Sequence, residues 1–217
     1  MSVAIIDYGS GNLRSAAKAF ERVVLERGSG ERILVTDKAD DVAAAERVVL
    51  PGVGAFADCR RGVADVDGME AALREAVIDR GRPFLGICVG MQLMANEGRE
   101  NVVTPGFGWL DGEVDRLQPD PEEDGRARKV PHMGWNQICV RTPHPVLASM
   151  DEDPYLYFVH GYHFRANDPD VVLAETDYGG SVAAVVGRDN MIGTQFHPEK
   201  SQRAGMQLID GFLGWRP

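Results

Sequence analysis

The feature that most restricts this chain is a repeated unit: a short apolar run, a glycine turn, then a stripe of apolar residues at helical spacing. Val3-Ala-Ile-Ile6 is followed by Asp7-Tyr8-Gly9-Ser10-Gly11, and Leu13, Ala16, Ala17, Phe20 and Val24 then recur on one helical face until Gly28 and Gly30. Four apolar residues without polar alternation predict a strand buried on both faces, and the stripe predicts the helix that covers it. The unit recurs with strands expected at 32–35, 47–50 and 83–87, the last preceded by a helix over 69–80. Such alternation implies an α/β fold, a mostly parallel sheet covered by helices on both faces.

From 107 to 140 the period changes, with strand-like pieces at 109–117 and 136–140 on either side of an acidic loop, so an antiparallel insertion is expected there. Strands at 155–160, 171–174, 181–186 and 191–196 and a helix over 201–213 complete the pattern. At 217 residues a single domain, 1–217, is the expectation.

Composition removes several classes of function. Twenty-three Lys and Arg against 33 Asp and Glu leave a formal charge of −10, which disfavours a nucleic-acid surface. The basic run Arg126 to Lys129 follows Asp120-Pro-Glu-Glu-Asp124 and reads as one salt-laced, solvated loop. No apolar run approaches the length of a membrane span, and neither a signal peptide nor a membrane contact is expected. Three widely spaced cysteines without a CxxC pair argue against disulfides and zinc, so a reducing cytoplasm is expected, with no metal and no cofactor.

One of those cysteines stands apart. Gly86-Ile-Cys88-Val-Gly90 sets a thiol at the junction of an apolar strand and a helix, with a glycine two residues to either side. This is the thiol counterpart of the nucleophile elbow, in which glycines remove the clashes that a sharp turn would create. A thiol facing a helix N-terminus is drawn toward thiolate. Cys59, in an expected helix, and Cys139, in an expected strand, lack such flanks and are expected to pack in the core.

A nucleophilic cysteine needs a base, and His197 is the best placed of five histidines because it closes the 191–196 strand. In parallel sheets, the carboxyl ends of strands line the active crevice. Pro198 holds His197 extended, and Glu199 is close enough to orient its ring and stabilise the imidazolium. His160 is expected as site lining or a core residue, and His163 as a rim residue. For the oxyanion, Pro51-Gly52-Val53-Gly54 supplies a strand end with candidate N–H donors at Gly52 or Val53, joined by that of Val89. A plain strand-to-helix turn fits the same residues, and no lysine or G-x-G-x-x-G spacing supports phosphate binding there.

Taken in order, Pro51-Gly-Val-Gly54, Gly86-Ile-Cys-Val-Gly90-Met-Gln92 and Gln195-Phe-His-Pro-Glu199 resemble the class I (triad) glutamine amidotransferases, whose layering is flavodoxin-like. Asp7-Tyr-Gly-Ser-Gly-Asn-Leu13 and Pro131-His-Met-Gly-Trp-Asn136 further resemble the glutaminase subunits of imidazole glycerol phosphate synthase. The resemblance implies that Cys88 attacks the amide of L-glutamine, His197 moves the proton and Glu199 orients His197. It also implies that Gln92 and Glu100 hold the substrate, and that the Gly52-Val53 strand rearranges to act. The implied partner is a (β/α)₈-barrel cyclase in a heterodimer of histidine biosynthesis, docking near Asn12, Met133, Trp135 and Lys200.

Two departures accompany it: Gly161 follows His160 where the resemblance suggests serine, and the loop over 118–129 is longer than expected. Open alternatives are a glutaminase subunit of another synthase, a stand-alone cysteine hydrolase, and a non-enzymatic α/β binding scaffold.

Overall fold

A computed structural model describes residues 1–217. Along the chain, β1 (Ser2–Ile6) leads through α1 (Leu13–Arg27) to β2 (Arg32–Thr36), and α2 (Ala39–Ala44) leads to β3 (Arg47–Gly52). Next come α3 (Phe56–Asp65), α4 (Met69–Leu73) with a π-helical continuation over Arg74–Asp79, β4 (Phe84–Cys88) and α5 (Val89–Gln92). The insertion carries β5 (Glu97–Glu100), β6 (Val102–Pro105), β7 (Gly112–Arg116), β8 (His132–Gln137) and β9 (Cys139–Val140). The chain then forms β10 (Tyr155–His160), β11 (Tyr162–Ala166), β12 (Val172–Asp177), β13 (Ser181–Arg188), β14 (Met191–Thr194) and α6 (Gln202–Gly214).

Eight strands form the main sheet in the order β2-β1-β3-β4-β14-β13-β12-β9. The first five are mutually parallel and the last three run antiparallel to their neighbours. β3, β4 and all of β1 after Ser2 are buried, as unalternated apolar runs require. The chain steps one way from β1 to β2 and the other way from β2 to β3. Right-handed crossovers therefore put α1 on one face and the α2–α4 group on the other. α6 joins α1, with Phe212 meeting Phe20 edge-on at 6.3 Å. Gly28, left-handed at φ 62°, closes α1 by donating to the carbonyls of Leu25 and Val24. No helix is long and apolar enough to cross a membrane.

Several expectations need correction. The inserted sheet begins at β5, ten residues before the period change suggests, and is mixed, not antiparallel throughout: in its order β11-β7-β5-β6 the outer pairs are antiparallel but β5 and β7 run parallel. The 136–140 strand divides into β8, which pairs with β10, and the two-residue β9 at the main sheet's edge. Cys139 sits on that edge and is exposed, not packed in the core as expected. In α1 it is Val23, not Val24, that is fully buried. The acidic loop is as anticipated: Arg126 pairs with Glu122 and Asp124 at the surface.

Candidate active site

Cys88 ends β4 at the middle of the main sheet, between the ends of β3 and β14. Register places Gly52 beside Cys88 on one side and Thr194 beside Ile87 on the other. The Cys88 backbone is strained, with φ 54° and ψ −109°, a conformation that costs a non-glycine residue about 1–3 kcal/mol and is tolerated where structure enforces it. The flanking glycines are required by close approach. A Cβ on Gly90 would lie 1.8 Å from the Leu50 carbonyl oxygen, and one on Gly86 would lie 2.6 Å from that of Gly90. The helix after Cys88 is only the four-residue α5, so a long helix dipole contributes little.

His197 follows β14 and is 2% exposed. Its backbone N–H donates to the Tyr157 carbonyl (3.0 Å), and Ser201 Oγ donates to its carbonyl (2.7 Å), so the backbone is held from β10 and from the start of α6. The residue is extended before proline, and Pro198–Lys200 then forms a 3₁₀ turn that brings Glu199 Oε1 to 2.8 Å from His197 Nδ1. Their side chains are 3% and 4% exposed. Burial pulls the imidazole pKa down, but the neighbouring Cys88 sulphur and the Glu199 carboxylate outweigh it and raise it to about 9. With Nδ1–H donating to Glu199, the other ring nitrogen, Nε2, is buried without a hydrogen-bond partner. It remains free to serve a reacting group.

The oxyanion candidates are disposed differently. Gly52 packs over the elbow: a Cβ there would meet Tyr8 Oη at 2.7 Å and the Gly90 nitrogen at 2.8 Å. Val53, however, turns its N–H toward Ser10 Oγ (3.4 Å), while its carbonyl accepts from Ser10 Oγ and from Cys59 Sγ (3.4 Å). The Tyr8 hydroxyl fixes the preceding Pro51 carbonyl at 2.8 Å. Val89, directly after the nucleophile, is buried at the start of α5.

Gln92 is 4% exposed and its Nε2 donates to the Tyr162 carbonyl and to Gln195 Oε1, both at 3.0 Å. Glu100 ends β5, and its Oε2 accepts from the Phe56 N–H (2.8 Å) at the start of α3, just beyond the Pro51–Gly54 turn. Sequence reasoning brought Cys88, His197, Glu199, Gln92, Gly52 and Val53 to one place but gave no role to Gln195, Ser10 or Tyr8, which it noted only as members of motifs. Gln195 Nε2 lies 3.6 Å from Cys88 Sγ, and its side chain is wholly buried. A glutamine directly after β14, two residues before His197, was the available signal. His160 is a core residue bonded to His132, and His163 lies half-buried on β11. Asn12 and Lys200 are exposed, Met133 is 63% exposed and Trp135 46%.

A family model described as "Glutamine amidotransferase class-I" matches residues 4–213. The imidazole glycerol phosphate synthase subunit HisH of Rhodopseudomonas palustris is 57% identical, with all of both chains covered. That of Rhodospirillum rubrum is 55% identical, again over the whole of both chains. Among solved structures, a glutamine amidotransferase superposes with a TM-score of 0.70 at 20% identity, covering 97% of this chain and 96% of that one. A second, from Thermotoga maritima, gives 0.63 at 16% identity and covers 98% and 82%. At those identities the structures speak for the fold alone, whereas the sequence relatives match end to end. The chain therefore belongs to the class-I glutamine amidotransferases and, within them, to the family of imidazole glycerol phosphate synthase HisH subunits.

Proposed function

We propose that this chain is the glutaminase subunit of an imidazole glycerol phosphate synthase, hydrolysing L-glutamine to glutamate and ammonia for histidine biosynthesis. The observation that carries the reading is the strained Cys88 at the centre of the sheet, flanked by a His197 that is held by Glu199 and has a free Nε2. Cys88 sulphur attacks the side-chain carbonyl carbon of glutamine. The carbonyl π pair moves onto oxygen, the resulting tetrahedral species collapses, and the C–N bond breaks as His197 Nε2–H protonates the departing ammonia. Water, deprotonated by the now neutral His197, then attacks the glutamyl thioester. The C–S bond breaks, glutamate leaves and Cys88 is restored. Glu199 keeps the proton on Nδ1 and so keeps Nε2 aimed at the chemistry.

The tetrahedral oxygen needs donors, and Gly52, Val53 and Val89 are the ones at hand. Because Val53 N–H is engaged by Ser10, the resting chain is an inefficient glutaminase until the turn rotates. Gln92, whose Nε2 is engaged by Tyr162 and Gln195, and Glu100 hold the substrate glutamine. Gly161 offers no hydroxyl, so any contact there comes from backbone. The subunit name of the relatives entails a partner, which we take to be a (β/α)₈-barrel cyclase that accepts the ammonia. Exposed Met133 and Trp135 on β8, with Asn12 and Lys200, form its docking face; Lys200 Nζ lies 5.9 Å above the Tyr157 ring, which in turn meets Trp135 edge-on. One core of 54 buried residues from Val3 to Trp215 supports a single domain over 1–217. Three free cysteines fit a reducing cytoplasm.

Glutamate release from glutamine, by the chain alone and then with cyclase and its phosphoribosyl ligand, tests the reading. We expect a rise of about a hundredfold, equivalent to ~2.7 kcal/mol of barrier. Strong activity alone with no response would reject the partner, and none under any condition would favour a binding scaffold.

A further inference from the structure

The buried polar side chains between β8 and the nucleophile form an unbroken hydrogen-bond chain, and its direction is fixed at one point. The Tyr162 carbonyl can only accept. His160 Nδ1, 2.9 Å from it, therefore carries a proton, and the Gln92 atom 3.0 Å from it is Nε2.

From that carbonyl the protons can be placed outward in both directions. Neutral His160 with Nδ1–H has a lone pair on Nε2, so His132 Nδ1, 3.0 Å away, must donate to it. His132 Nε2 then accepts from Asn136 Nδ2 (3.3 Å), whose second N–H goes to the Asp177 carbonyl (2.8 Å). On the other side, the second N–H of Gln92 goes to Gln195 Oε1 (3.0 Å), which leaves the Gln195 amide N–H facing Cys88 Sγ at 3.6 Å. No two donors and no two acceptors confront each other anywhere along it.

Burial keeps both rings neutral, lowering His132 to about 4 and His160 to about 3. His132 is also stacked between Phe158 and Tyr178, with centroids 4.8 and 3.9 Å away.

We infer that Gln195 is a further catalytic residue, its side-chain N–H steadying negative charge on the Cys88 sulphur, and that His160 and His132 are positioning residues linking its amide to the docking strand β8. The inference rests on the glutaminase reading of this site. A flipped Gln195 would present its carbonyl oxygen to the thiolate and repel it. Gln92 blocks that flip, because its own orientation is set by the Tyr162 carbonyl that His160 shares. Since His132 and Asn136 lie on the same strand as Met133 and Trp135, a shift of β8 reaches the chain directly.

Two measurements on the full chain test this. In ¹⁵N-histidine-labelled wild type, long-range ¹H–¹⁵N correlations should show His132 and His160 both as the Nδ1–H form at pH 7. Either ring in the Nε2–H or charged form would overturn the relay. Alkylation by iodoacetamide, read by mass spectrometry on each cysteine's own peptide, should slow about tenfold at Cys88 in Gln195→Met, which keeps length and loses the donor. Cys139 should be unaffected. Turnover should show a lower kcat with KM nearly unchanged, and His160→Gln a smaller effect of the same kind. A folded Gln195→Met with unaltered Cys88 alkylation would overturn the role of Gln195. If that variant does not fold, the Gln195 side-chain amide signals of the otherwise native chain must move in Cys88→Ala, and their constancy would overturn it equally. Failure of the glutaminase reading looks different: wild type releases no glutamate while the alkylation contrast persists.

Discussion

The two sides of the nucleophile are held in different ways. On the β14 side, His197 and Glu199 are buried, bonded to each other and anchored through Tyr157 and Ser201. On the β3 side, Gly52 is locked in register with Cys88, but one residue later Val53 is 40% exposed and tied to Ser10 and Cys59. One half is preorganised by the sheet; the other is held away from the chemistry by two small side chains. On the reading proposed above, such a catalyst has its proton transfer ready and its oxyanion stabilisation withheld until the turn rotates.

The largest break is at the shared atom. Cys88→Ala should lower glutamate release by about 10⁶-fold, while size-exclusion chromatography with the cyclase shows binding intact. Next is the buried half: Glu199→Gln loses the carboxylate that fixes Nδ1–H and should cost between about 10² and 10⁴ in kcat. NMR should then show the His197 imidazolium losing its proton well below pH 9.

The exposed half should respond in the opposite sense. Ser10→Ala removes the group that engages both the N–H and the carbonyl of Val53. A bond of about 1 kcal/mol predicts a rise of about fivefold in partner-free glutaminase, with a correspondingly smaller activation ratio. An unchanged or lower basal rate would mean that Ser10 does not restrain the turn.

The histidines give the comparison a pH signature. His132 and His160 have folded values depressed below the ordinary 6.5, so their neutral burial supports the fold above about pH 6.5, and that support drains away as pH falls through about 4 for His132 and about 3 for His160. His197 is raised to about 9, so its contribution is complete below about 6.5 and is lost as pH rises through about 9. Thermal melts should therefore show Tm falling on both the acid and the alkaline flanks, and His197→Asn should flatten only the alkaline one. Smallest of all, Arg126→Ala in the acidic loop, whose side chain is 75% exposed, should move stability by less than about 0.5 kcal/mol.

Much of this site was legible because it is carried by short contiguous motifs. Gly86-x-Cys88-x-Gly90 encodes a strand, a strained turn and a close approach within five residues, and the carbon that a side chain would add meets backbone at both glycines. His197-Pro-Glu199 likewise contains its own hydrogen bond. The insertion was harder to read, since β5 and β6 are only four residues each and half or more exposed, β5 is charged, and its second pairing is with β7, further along the chain. Cys139 was misplaced because a two-residue edge strand has no periodicity that distinguishes a wet face from a dry one.

The sequence by itself determined the alternation of buried strands and helices, the elbow, the base and its carboxylate, since local sterics and spacing decide these. Only the tertiary structure decided that Val53 faces Ser10, that Gln195 faces the sulphur, and that two histidines 28 residues apart share a proton order. Those are contacts between side chains brought together by strand register, where a hydrogen bond depends on distances of a few tenths of an ångström that no linear pattern records.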